Sequence, residues 1–102
     1  MRVISKKKLR EYYTVHPQAE LPLAEWYYRM KVCKAKSISG LRKIFNSADP
    51  VHGYTVFNIG GNSYRLITAI HYDKQLCFVR AIWTHANYSK KSNQDKLKRG
   101  EL

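Results

Sequence analysis

The chain has 102 residues, with 19 Lys and Arg against 7 Asp and Glu, and a formal net charge of +12. Its length is enough for one domain with one modest hydrophobic core. A hydrophobic content of 44% argues against a disordered chain. No run of about 18 apolar residues is present to cross a membrane. Such an excess of positive charge favours a polyanionic partner, above all nucleic acid.

The two cysteines and the amino-terminal segment bear on compartment and cofactors. Cys33 and Cys77 show neither CxxC spacing nor a neighbouring His or Cys at zinc spacing. We therefore predict two reduced residues in or near the core, with no metal and no cofactor. Residues 1–10 are basic, and no apolar stretch follows them, so we expect no secretion signal. These features predict a cytoplasmic protein that does not associate with membranes.

The first half of the chain predicts one strand and three helices. Residues 1–4 are mostly apolar and include two β-branched residues, as in a strand. Apolar residues recur at helical spacing over 6–15, and Pro17 ends this first helix just after it. The same spacing returns over 19–34. Residues 38–45 show the same spacing, but a glycine inside the segment limits this helix to a short one.

The second half changes from helical to extended periodicity. Residues 46–53 have loop composition, and strands are predicted over 54–59, 63–72 and 76–84. The cluster Gly60-Gly61-Asn62 predicts a tight hairpin turn, because glycine adopts positive φ without strain. The order strand, helix, helix, short helix and three strands predicts an α+β fold, with the amino-terminal helices packed on a mainly antiparallel sheet.

The last segment differs in composition from the rest. Residues 89–102 are rich in lysine, and their large apolar residues are Leu97 and Leu102. We therefore expect one domain over residues 1–88, followed by a basic flexible tail over 89–102.

Three stretches of the second half carry a family resemblance: VFNIGGN at 56–62, YRLI at 64–67 and THANY at 84–88. With the opening MRVISK and the pair Trp26-Tyr27, they resemble HigB-type toxins of the RelE superfamily, in order and spacing, from about Met1 to Tyr88. The resemblance implies a RelE-like fold and an endoribonuclease, an mRNA interferase, that cuts messenger RNA on the ribosome. It also implies a cognate antitoxin with a helix-turn-helix, through which alone the toxin would contact DNA.

The resemblance also implies where the active site lies. RelE-like toxins use the sheet surface and the residues just past the final strand. Arg65 matches the strand arginine after the Gly-Gly turn, and His85 and Tyr88 match the basic residue and the tyrosine after the last strand. These three are the predicted catalytic residues. The sequence departs from the family at Trp83, where a glycine is common, and at Asn87 and Ser89, where acidic residues are common.

Metal-free RNA cleavage needs only such side chains, because the 2′-hydroxyl of RNA can attack the neighbouring phosphate. A base must take the 2′-proton, an acid must protonate the leaving oxygen, and cations must stabilise the developing charge. His85 is the candidate acid or base, since imidazole exchanges protons near neutral pH. Tyr88 is a candidate for stacking or proton donation. The sequence leaves open which residue is the base and which the acid.

The predicted RNA contacts are Arg80, His71, Lys6, Lys7 and Asn62. Arg65 and Arg80 lie in apolar strands and need a phosphate or a carboxylate partner, with Glu25 and Asp73 as the alternatives to phosphate. Acidic residues are scarce, which favours phosphate. Two other functions stay open: a non-catalytic basic module that binds RNA or the ribosome, and a protein-interaction domain whose charge meets an acidic partner.

Overall fold

The computed structural model describes all residues, 1–102, and contains one five-stranded sheet in the order β1-β5-β4-β3-β2. The strands are β1 (Arg2–Ile4), β2 (Asp49–Val51), β3 (Tyr54–Ile59), β4 (Tyr64–His71) and β5 (Leu76–Thr84). The helices are α1 (Lys6–Val15), α2 (Glu20–Val32), α3 (Ile38–Ile44), α4 (His85–Tyr88) and α5 (Lys91–Arg99), with a 3₁₀ turn at Pro17–Ala19. None of the helices combines the length and the apolar character needed to span a membrane.

Strands β3, β4 and β5 form the predicted antiparallel meander. β1 pairs in parallel with the start of β5, with Val3 opposite Cys77. The prediction of a plain loop over 46–53 is wrong, because β2 lies within it and pairs with β3. Pro50 conceals this strand in the sequence. It is tolerated there because β2 is an edge strand, where one N–H can be spared.

The amino-terminal helices cover one face of the sheet, which confirms the predicted α+β architecture. Leu23, Trp26 and Met30 of α2 are buried in the main core with Phe57 and Leu66 of the sheet. The rings of Trp26 and Phe57 meet edge to face, with their centroids 5.5 Å apart. Helix α1 contacts β5 beyond the short β1, and the Lys8 ammonium donates to the Arg80 carbonyl at 3.3 Å. Part of this exposed strand edge is thereby covered.

The carboxyl-terminal segment is not the flexible tail that its composition suggested. Residues Lys91–Arg99 form α5, and Leu97 is 0% exposed. Its side chain packs on the face of the sheet opposite α2, against Tyr54, Val56 and Ile67. Gly100, at φ 68°, ends the helix, and the N–H groups of residues 100 and 101 donate to the carbonyls of residues 97 and 96. Leu97 is the buried side chain of this otherwise polar helix, and the backbone of Leu102 beyond it bonds to the Tyr54 hydroxyl.

Cys33 and Cys77 are both buried and unpaired, which confirms their prediction as core residues. Burial raises the pKa of the Cys77 thiol to about 12. The thiolate form is therefore negligible at neutral pH, so Cys77 is not a nucleophile in the folded protein.

The docking of α5 predicts a clear stability effect. We expect Leu97→Ala to lower the free energy of unfolding by about 2–5 kcal/mol, because it leaves a cavity against three buried side chains. Lys98→Ala is the matched control, since Lys98 is exposed on the same helix and should change stability by less than about 0.5 kcal/mol. Urea unfolding measures both. Equal effects of the two substitutions would show that α5 does not dock.

Candidate active site

The site forms where the β3–β4 turn meets the start of α4. Gly60 and Gly61, at φ 61° and 67°, let the chain reverse between the two strands. The Ser63 carbonyl then accepts the backbone N–H of His85 at 3.0 Å. The Thr84 hydroxyl caps α4 by accepting the backbone N–H of the helix's third residue at 3.1 Å. These contacts hold His85 beside the turn.

Arg65 is the centre of the site and is only 8% exposed. Its Nη2 donates to Asn62 Oδ1 at 2.6 Å and lies 3.1 Å from His85 Nδ1. Its Nη1 donates to the carbonyls of Asn62 and Tyr64, each at 3.2 Å. The guanidinium carbon lies 5.8 Å from the centroid of the Tyr88 ring. The fold therefore brings together the three predicted catalytic residues and Asn62, a predicted RNA contact.

The contact between Arg65 and His85 assigns a role to one nitrogen of the imidazole. A guanidinium can only donate, so Nδ1 of His85 accepts in this contact, and a neutral ring that makes it carries its proton on Nε2. The Nε–H of Arg65 is the one donor group of the guanidinium without a partner in the chain. A phosphate must therefore bind this N–H or displace one of the existing acceptors. Displacement of His85 would free Nδ1 to accept a proton.

Neither Arg65 nor Arg80 forms an ion pair. The ion pairs of the chain are Lys7–Glu11, Glu25–Arg29, Arg42–Asp49 and Arg99–Glu101. The alternative that Glu25 or Asp73 neutralises either arginine is therefore wrong. The positive charge of the site is left uncompensated by the protein.

A β-bulge places Arg80 on the same face of the sheet as Arg65. The register between β4 and β5 shifts at Arg80, which has no partner on β4. Val79 and Ile82 are both in the main core although they are three residues apart. This spacing requires an extra residue between them, and the bulge turns Arg80 to the opposite face.

Arg80 and His71 meet at Phe78 rather than at Arg65. The Arg80 guanidinium lies 5.1 Å from the Phe78 ring centroid, and the His71 ring meets Phe78 edge to face at 5.4 Å. The Nε atom of Arg80 is buried without a hydrogen-bond partner. His71 is six residues from Arg65 along β4, or about 20 Å. It shares the face but not the cluster around Arg65.

The two lysines predicted to contact RNA lie in the helical layer. The Lys6 ammonium is 4.5 Å from the Tyr27 ring centroid, and Lys7 pairs with Glu11 at 3.8 Å. The structure does not join either lysine to Arg65 or His85. No group of three or more His, Cys, Asp or Glu side chains is placed to hold a metal ion.

Two neighbours of Arg65 were not among the predicted site residues. Asn58 on β3 and Trp83 on β5 lie opposite Arg65 in register, one on each side. Asn58 is exposed and Trp83 is half-buried. The signal for Asn58 was present in the sequence, because a hairpin turn over 60–63 pairs residue 58 with residue 65. The register of β5 against β4 could not be counted in this way, because a β-bulge shifts it.

The hydrogen bond at Nδ1 predicts the tautomer of His85. ¹⁵N NMR of the neutral ring should show the Nε2–H form as dominant, and Arg65→Ala should give a mixture of both tautomers. His52, an exposed histidine in the β2–β3 turn, is the internal control and should not respond to Arg65→Ala. A dominant Nδ1–H form of His85 in the unmutated protein would exclude the contact.

Comparisons with known proteins place the chain in a family. Residues 19–91 match the sequence model of the HigB toxin family, described as the RelE-like toxic component of a toxin–antitoxin system. The chain is 28% identical over 91 residues to the mRNA interferase toxin HigB of Escherichia coli (strain K12), covering 86% of this chain and 88% of that protein. It is 29% identical over 93 residues to the mRNA interferase HigB of Escherichia coli O6:H1 (strain CFT073), covering 88% and 90%. The family match includes the glycine turn, Arg65 and His85, and the chain belongs to the HigB family of RelE-like toxins.

Proposed function

We propose that this protein is an endoribonuclease, the toxin of a toxin–antitoxin pair, that cleaves messenger RNA without a metal ion. The observation that carries the proposal is the 3.1 Å contact between the Arg65 guanidinium and His85 Nδ1, in which neither residue forms an ion pair with a carboxylate. Intramolecular cleavage of RNA requires a group that transfers a proton and a cation that stabilises the developing charge, both close to the same phosphate. The two relatives named as mRNA interferases support the choice of substrate.

The reaction proceeds by attack of the ribose 2′-oxygen on the adjacent phosphorus. The bond from phosphorus to the 5′-oxygen breaks, and the products are a 2′,3′-cyclic phosphate and a 5′-hydroxyl. Arg65 exchanges its contact with His85 for a phosphate oxygen and stabilises the developing negative charge. His85 Nδ1 is then free to accept the 2′-proton, which makes His85 the general base.

Tyr88 has two possible contributions in this scheme. Tyr88 is the last residue of α4, and its side chain is half-buried. The centroid of its ring lies 5.8 Å from the guanidinium carbon of Arg65. The phenol is a donor for the leaving 5′-oxygen, and the ring is a surface for a base. The cleavage kinetics of Tyr88→Phe separate the two, because phenylalanine keeps the ring and loses the proton.

The wider surface fits a ribosome-bound message and a protein inhibitor. Arg80, His71, Lys6 and Lys7 are proposed to contact phosphates outside the cleavage site, in a chain whose formal net charge is +12. A cognate antitoxin with a helix-turn-helix would silence the toxin in the cytoplasm. The toxin would then contact DNA only through that partner.

The cleavage chemistry predicts the effect of removing either central residue. His85→Ala should lower the cleavage rate by about 10²–10⁴-fold through loss of proton transfer. Arg65→Ala should lower it at least as much, because it removes both the charge and the partner of His85. Rates come from labelled RNA with purified ribosomes, and the cleaved RNA should carry 2′,3′-cyclic phosphate ends.

His52→Ala is the matched control, since it removes an exposed histidine of the β2–β3 turn and should leave cleavage unchanged. Circular dichroism and antitoxin binding should be normal for all three variants. Unmutated protein that binds RNA but yields no cyclic phosphate ends would indicate the non-catalytic RNA-binding module. Weak binding even at low salt would indicate the protein-interaction domain.

The proposed phosphate contact of Arg80 predicts a change in salt dependence. Arg80→Gln should reduce the slope of log affinity against log salt by about 0.7 for single-stranded RNA, the value for one lost phosphate contact. Arg42→Gln is the charge-matched control, because Arg42 is paired with Asp49 at 3.9 Å. Its slope should stay near that of the unmutated protein. Equal slopes for all three proteins would remove Arg80 from the RNA-binding surface.

A further inference from the structure

We propose that Trp83 is a stacking platform for one unpaired nucleobase beside the scissile phosphate. The proposal rests on the proposed function for the location of that phosphate. The proposal adds that the site takes single-stranded RNA with an unstacked base, and that Trp83 selects for such RNA.

The position of Trp83 places its ring at the cluster around Arg65. Trp83 lies directly opposite Arg65 in the β4–β5 register. Side chains opposite one another in an antiparallel pair have Cβ atoms about 5 Å apart. The ring centroid of Trp83 is 6.3 Å from that of Tyr88, and the planes are inclined by 45°. The Tyr88 ring therefore lies beside the guanidinium that is proposed to hold the phosphate, and the Trp83 ring lies next to Tyr88.

Comparison of the two tryptophans shows that Trp83 is not a core residue. Trp26 is 3% exposed, packs on Phe57, and has its indole N–H fully enclosed. Trp83 is half-buried and packs only at the border of the small cluster around Leu97. Its indole N–H is not enclosed and makes no hydrogen bond within the chain. A large ring that is left partly open beside an uncompensated cation is suited to a ligand with a flat face and a negative charge.

The surroundings of Trp83 match the layout of a single strand of RNA. Arg65 lies beside it across the strands, and Arg80 lies three residues away along β5, or about 10 Å. Proteins that bind single strands combine cations along the backbone with aromatic rings on which bases stack. In a duplex the bases are already stacked on one another and expose no free face. The order of cation, aromatic ring and cation therefore favours an unpaired segment.

Stacking on an aromatic side chain predicts a measurable loss of affinity when the ring is removed. Trp83→Ala should weaken binding of a short single strand by about 10- to 100-fold, the range found for one stacked base. Trp83→Phe keeps a flat ring and should lose only a small part of the affinity. In cleavage assays the loss should appear mainly as a higher KM, because stacking also stabilises the bound ground state.

The experiment uses 2′-O-methyl oligonucleotides, which cannot undergo cleavage, and the full-length protein. Trp26→Phe leaves Trp83 as the only tryptophan, so its fluorescence reports directly on stacking. We expect quenching by the single strand and none by a duplex of the same sequence. If Trp26→Phe fails to fold, 2-aminopurine in the oligonucleotide gives the same readout with the unmutated protein, and Trp83→Ala removes the signal.

Unchanged affinity of Trp83→Ala would overturn the proposal, and so would equal quenching by single strand and duplex. The failure of the nuclease function has a different signature. If quenching occurs while native RNA is never cut, the cleavage mechanism is lost and the stacking platform stands. If native RNA is cut and Trp83→Ala has the KM of the unmutated protein, the stacking platform alone is lost.

Discussion

A guanidinium that is nearly buried and has no carboxylate partner must find other acceptors, since an unsatisfied charge in the interior is costly. Arg65 meets this constraint with the Asn62 side chain, two backbone carbonyls and the imidazole of His85. These acceptors belong to the β3–β4 turn, to the first residue of β4 and to the start of α4. The geometry of the candidate site therefore depends on how the turn and the end of β5 meet. The backbone bond from His85 to Ser63 holds that junction together.

The same arrangement leaves a positive charge at the candidate site. The ion pairs lie elsewhere on the surface, so none of the acidic side chains neutralises the charge around Arg65. Helix α5 covers part of this face of the sheet through Leu97. The half-buried Trp83 and the bulged Arg80 remain on the rest of the face. A phosphate backbone is the partner whose charge complements this surface.

Local sequence predicted the turn and the position of Arg65, but not the neighbours of Arg65 from distant parts of the chain. Two adjacent glycines determined the turn, and the apolar strands on each side placed Arg65 one residue inside β4. The proximity of His85 was predicted from the family resemblance, because no local pattern relates residues 20 positions apart. Strand β2 and helix α5 were missed because Pro50 and a lysine-rich composition are more common in loops. The signals for α5 were Leu97 and Gly100, which gain significance only when the helix has a surface to pack on.

The sequence by itself determined the main helices, the meander of three strands, the hairpin turn and the strong positive charge. Each of these follows from side-chain periodicity, from glycine conformation or from composition, which are local properties. The tertiary structure alone decided the parallel pairing of β1 with β5, the bulge that turns Arg80 outward, the docking of α5 and the contact between Arg65 and His85. These features arise from packing between segments that are distant in the chain. Their free energies depend on which surfaces meet, and periodicity within one segment carries no information about its partner.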